Sequence, residues 1–107
     1  MNKVIEIQRE KLDNFYKISE DLLMNLNNCI DMDYNSKMSL MDKLRLLNSN
    51  LLMIENDIND ILYDLKRNHC SLSRNARLRL SEEDETNNLI REMSPVLLYY
   101  LVNRNLN

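Results

Sequence analysis

Between Met38 and Lys66 the aliphatic positions keep a strict rhythm: Leu40, Leu44, Leu47, Leu51, Ile54, Ile58, Ile61 and Leu65 follow at alternating steps of four and three. That spacing sets all eight on one narrow stripe of an α-helix. It is the seam of a coiled coil, not the broader apolar face of an ordinary surface helix. At 1.5 Å per residue the stripe is roughly 38 Å long, and it predicts a rod that other rods must cover. Beyond Lys66 the rhythm stops, with Asn68 at the next stripe position.

An earlier segment, about Lys3 to Ile30, sets Ile5, Leu12, Phe15, Leu22 and Leu26 at helical spacing, flanked by Ile18. Its other positions carry charges such as Glu6, Arg9, Lys11, Asp13, Lys17, Glu20 and Asp21, which predicts an amphipathic helix. From Asn27 to Ser36 the chain is polar, and Asp31, Asp33, Asn35 and Ser36 favour turns and caps. The reading is a joint, with Asn35 or Ser36 as N-cap of the second helix. A calcium loop there would need a glycine and more oxygen ligands.

Charge order argues for a fold-back at this joint. The second helix has Lys37, Lys43 and Arg45 early and Glu55, Asp57, Asp60 and Asp64 late, which opposes its own dipole. An antiparallel partner reverses the conflict: Glu20 and Asp21 come level with Lys43 and Arg45, and Lys3 and Arg9 with Asp57 and Asp64. A homodimer through the second helix would use the same order.

Further on, Ser81 before Glu82, Glu83, Asp84 and Glu85 reads as an N-cap with an acidic first turn, opening a third helix to about Met93. Ser94-Pro95 reads as the cap and first position of a last helix to about Arg104. Its Val96, Leu97, Leu98, Tyr99, Tyr100, Leu101 and Val102 are apolar nearly all round, so it must be buried, on the hairpin or against another protein. Val96, Leu97, Tyr99, Tyr100 and Leu101 are the candidate second interface. The expected fold is all-α: a long antiparallel, coiled-coil-like hairpin over 1–67, a basic connector over 68–80, and a C-terminal segment of two short helices over 81–107.

Composition narrows the chemistry. A chain of 107 residues is one domain at most, and one with no Gly and a single Pro makes sheets with tight turns unlikely. It also lacks the Gly-rich loops that hold nucleotide phosphates. Seventeen Asn, good caps but mediocre helix residues, fit an AT-rich coding sequence as well as any structural role. The net charge of −3 speaks against general nucleic-acid binding. Cys29 and Cys70 are too few for a disulfide framework or a zinc site. His69 beside Cys70 would form a nucleophile–base pair only if adjacent side chains converged, and on a helix they diverge. No catalytic, cofactor or metal residues are expected, and no enzyme. Charges at the N-terminus interrupt any signal-peptide core, and the longest apolar run, Pro95 to Val102, is too short to span a bilayer. The expected setting is cytoplasmic. Arg67, Arg74, Arg77 and Arg79 form a basic stretch that would suit phosphate or an acidic partner; the plainer reading is that it answers the acidic run after it.

Two stretches resemble known families. Gln8-x-x-x-Leu12-Asp13-x-Phe15-x-Lys17, Glu20-x-Leu22-Leu23, Asn27-Asn28 and then Asp57-Ile58-x-x-Ile61-Leu62-x-x-Leu65-Lys66 are similar to the KxDL-motif family, coiled-coil subunits of BORC- and BLOC-one-type complexes. Where that family has Lys-x-Asp-Leu, this chain has Glu55-Asn56-Asp57-Ile58, without the lysine. The resemblance implies a scaffold subunit on the cytosolic face of lysosomes or endosomes. A shorter stretch, His69-Cys70-Ser71-Leu72-x-Arg74-Asn75-x-Arg77, is similar to a helix in one subunit of the GINS replication complex, but the chain turns acidic at Glu82 where that family stays aliphatic.

Three functions are therefore in view: a structural subunit whose seam meets other helical subunits or a second copy, a self-sufficient bundle that binds and blocks one protein, and a replication-complex subunit. Placement of Val96–Val102 discriminates the first two. Packed on the seam it favours the self-sufficient bundle, and projecting away it favours the subunit.

Overall fold

The computed structural model describes the backbone of residues 3–68 and 73–106; the side chains of residues 4, 64–81 and 103–106 lie outside the described set. The fold is all-helical: α1 (Lys3–Asn28), α2 (Tyr34–Asn68) and α3 (Ser73–Leu106), with no strand among the described residues. Ser19 meets Asn48 and Tyr16 meets Glu55, so α1 and α2 run in opposite senses. Lys43 meets Glu92 and Tyr100 meets Asp33, so α3 runs opposite to α2 and alongside α1. The molecule is 60 Å long and 22 by 16 Å across, with a radius of gyration of 17.0 Å. A compact chain of this length would have about 13 Å.

Seven of the eight stripe residues, Leu40 to Ile61, are buried, none more than 4% exposed, and the side chain of Leu65 lies outside the described set. They are covered from within the chain. Ile5, Leu12, Leu22 and Leu26 reach them from α1, and Leu89, Met93 and Leu97 from α3. Phe15 and Ile18 pack at the edge. Cys29 and Met32 close the end of this core, which lets a joint of only five residues, 29–33, connect α1 to α2.

The N-cap of α2 is Asp33, not Asn35 or Ser36. Its Oδ2 accepts the Ser36 N–H at 3.0 Å, and its carbonyl accepts the Lys37 N–H at 3.0 Å, the first helical bond. Helix α2 consequently starts four residues before Met38.

The C-terminal part also differs from expectation: α3 is one helix, not two short ones, and it already runs at Ser73, within the expected connector. The acidic run sits in its interior instead of its first turn. Pro95 lies within the helix. A proline there removes the bond to the carbonyl four residues back, here that of Arg91. Arg91 and Pro95 are both exposed, so the freed carbonyl belongs to the solvent side of the helix and the apolar face stays intact. The would-be caps are absorbed as well. Thr86 Oγ1 donates to the Glu82 carbonyl and Ser94 Oγ to the Ile90 carbonyl, each at 2.8 Å, the back-bonding such residues adopt inside helices.

Among the described residues, Lys43 and Arg45 do not pair with the acids expected of them on α1; the Asp64 side chain lies outside the described set. Lys43 faces Glu92 of α3 at 3.7 Å, and Arg45 bonds Asp42 on its own helix at 3.0 Å. A third helix offers a closer acid than Glu20 or Asp21, and hydrogen bonds tie α1 to α2 instead.

Candidate functional site

Since the stripe is spent internally, candidate sites are the clefts between helices and the apolar side chains left outside. One cleft, of about 300 Å³, lies between α1 and α2 and is lined by Arg9, Leu12, Asp13, Glu55, Ile58 and Asn59. Beside it the Tyr16 hydroxyl donates to Glu55 Oε2 at 2.8 Å. Burial and the Glu55 carboxylate push the Tyr16 phenol up to about 12, since ionising it would put two negative charges side by side away from water. A carboxylate so engaged, opposite Arg9, is a structural acceptor.

The second cleft, of about 250 Å³, opens between α1 and α3 and is lined by Leu22, Asn25, Ser94, Leu97, Leu98 and Leu101. It is apolar, and its volume falls below that of ordinary small-ligand pockets.

The candidate second interface is divided by the fold. Leu97 is fully inside; Val96, Tyr100 and Leu101 pack partly on the core; Tyr99 stands exposed with Leu98 and Val102. The two tyrosine rings meet edge to face, centroids 5.3 Å apart. Tyr100 donates to Asp33 Oδ1 at 2.9 Å, tying the end of α3 to the cap of α2. Hydrogen bonds from the Ser36 backbone N–H, the Ser36 hydroxyl and the Tyr100 phenol hold the Asp33 carboxyl down at about 2.

Polar groups cross the middle of the core. Ser19 donates to Asn48 at 2.6 Å. Lys11 approaches the buried Glu83 at 3.9 Å. Asn50, 4% exposed, points an Nδ2 donor that finds no partner among the described residues. The aliphatic stripe did not reveal these positions; Asn50, directly before Leu51, was the one available signal, as a lone Asn at a seam often fixes register.

A further set of apolar side chains faces outward from the middle of α2: Leu46, Leu52 (57% exposed) and Met53 (48% exposed). Sequence reasoning missed them because they interleave with the stripe. The basic stretch Arg67, Arg74, Arg77 and Arg79, together with His69 and Cys70, lies outside the described side chains, as does nearly all of the GINS-like stretch. Among the described residues no group of three or more His, Cys, Asp or Glu is placed to hold a metal, and no helix is long and apolar enough to cross a membrane. Comparison with family models, with curated proteins and with solved structures gives no match.

Proposed function

We propose that this chain is a non-enzymatic protein-binding module: an antiparallel, coiled-coil-like hairpin closed by its own third helix, presenting its outer surface to a partner protein. The observation that carries this reading is the burial of Leu97 against the stripe of α2, with Val96, Tyr100 and Leu101 packed beside it. A seam already covered has no need of a partner to cover it. The contact surface must then lie on the outside. Leu46, Leu52 and Met53 supply it, exposed apolar groups that include a methionine, a residue enriched where proteins meet.

The test is capture of partners from source-cell extract, followed by mass spectrometry, using the wild type, the pair Leu52→Asp with Met53→Asp, and Leu51→Asp. The surface pair keeps its helical circular dichroism and loses the partner, whereas Leu51→Asp loses both. Partner retention by the surface pair would end this reading.

A second reading keeps the chain as a subunit of a larger helical assembly of the KxDL type. The outward Leu and Met side chains favour it, since they sit on the helix that carries the second half of that resemblance. Its prediction is that several helical proteins are captured together, not one.

A further inference from the structure

The cleft between α1 and α3 points to a second copy of the chain. Total accessible surface is 7409 Å². A folded monomer of 12.8 kDa is expected to show roughly 6,300 Å². The excess, about 1,100 Å², is surface that a 60 Å rod adds to a globular chain of this mass, and it leaves room for the approximately 800 Å² that each partner buries in a standard interface. The place to bury it is where coverage is thinnest, because α1 and α3 touch each other less than either touches α2.

Charge says what covers it. Lys11 meets Glu83, and Leu22 and Asn25 share a cleft with Ser94, Leu97, Leu98 and Leu101, so the two helices run parallel in a fixed register. On α3, Asp84, Arg91 and Leu98 are seven residues apart and form one stripe along the rim. On α1, Lys11 stands level with Asp84, and Asp21 comes within a turn of Arg91. The order is positive then negative on α1, and negative then positive on α3. All four are exposed. Among the described residues, neither Asp21 nor Arg91 has an ion-pair partner in its own chain.

We propose that two copies pair in parallel about a two-fold axis along the rod, each α3 seated over the α1 of the other. Lys11 then faces Asp84 of the second copy, Asp21 faces its Arg91, and the exposed Leu98 enters the second copy's cleft beside Leu22 and Asn25. An antiparallel pairing matches the charges only by separating the two leucine clefts, since both lie at the same end. Parallel pairing satisfies charge and burial together.

Sedimentation equilibrium of the full chain across concentration and salt is the test. The wild type reaches twice 12.8 kDa. Leu98→Asp weakens the dimer thirtyfold or more, the scale of a buried anchor, with unchanged circular dichroism because Leu98 is 61% exposed in the single chain. Arg91→Glu weakens it about fivefold at low salt, and Asp21→Arg added to Arg91→Glu restores it. A species of 12.8 kDa at every concentration overturns the proposal, and so does a dimer indifferent to Leu98→Asp. Rescue of Arg91→Glu by Asp84→Lys instead of Asp21→Arg overturns the parallel arrangement. The proposal stands apart from partner binding, which uses the opposite face of the bundle and is read out by capture.

Discussion

Asp33 joins two jobs in one carboxylate. One oxygen caps α2 through Ser36, and the other accepts the phenol of Tyr100, sixty-seven positions away in the chain. Asp33→Ala removes both the cap and the Tyr100 bond, and should lower the urea midpoint. The ionic part has a definite pH signature. The folded pKa of about 2 lies below the ordinary 3.8, so between these values the unfolded chain binds more protons and stability falls as pH falls. Urea midpoints for wild type and Asp33→Asn will run parallel from neutrality to about pH 5, then converge as pH drops toward 2. Parallel lines all the way down would mean that the carboxylate is not engaged. Tyr16 shows the opposite sign. Its pKa is raised from 10.0 to about 12, so its contribution is intact below 10 and is lost as pH rises through 12. Ultraviolet titration should show a tyrosine step near pH 12, and Tyr16→Phe should delete it.

At the level of the helices, Pro95 is the most informative position. Proline in a helix interior is about 3 kcal/mol less favourable than alanine, and Pro95 is exposed, so little packing is at stake. Pro95→Ala should therefore raise stability by roughly 1–3 kcal/mol in urea unfolding. No gain would mean that the chain breaks at Ser94, as the Ser-Pro pair suggests when read alone. The difference in legibility between α2 and α3 has the same root. The inner stripe of α2 is aliphatic at almost every step, and among its described buried positions only Asn50 is polar, so its rhythm is plain in the sequence. Among the described residues the inner stripe of α3 runs Glu83, Thr86, Leu89, Met93, Leu97, with two of five positions polar. A pattern search sees an acidic cap and a fresh start where the structure has one continuous helix. Nor does periodicity reveal which aliphatic residues outside the stripe stay wet, since Leu51 and Leu52 look alike until the neighbours are placed. Their costs will not be alike. Leu47→Ala, like Leu51→Ala, should cost about 2–5 kcal/mol by opening a cavity, while Leu52→Ala should move stability by about 0.5 kcal/mol or less.

For the whole molecule the decisive feature is that each helix needs the other two. Helix α1 covers one flank of the α2 stripe with Ile5, Leu12, Leu22 and Leu26, and Leu89, Met93 and Leu97 of α3 cover the other. The contacts that fix direction are divided the same way: Ser19–Asn48 and Tyr16–Glu55 on one side, Lys43–Glu92 and Asp33–Tyr100 on the other. Removing α3 should therefore expose a continuous apolar flank while leaving the rest of the hairpin helical. A chain ending at Asn68 is predicted to lose its sharp thermal transition and to associate into species larger than a dimer, because the apolar stripe of the 35-residue α2, open along one flank, accepts any similar stripe. Circular dichroism melting with sedimentation velocity on residues 1–68 checks this directly. A truncated chain that melts sharply as a monomer would show that the hairpin buries its own stripe, and α3 would then be an accessory, not the element that makes the bundle self-sufficient.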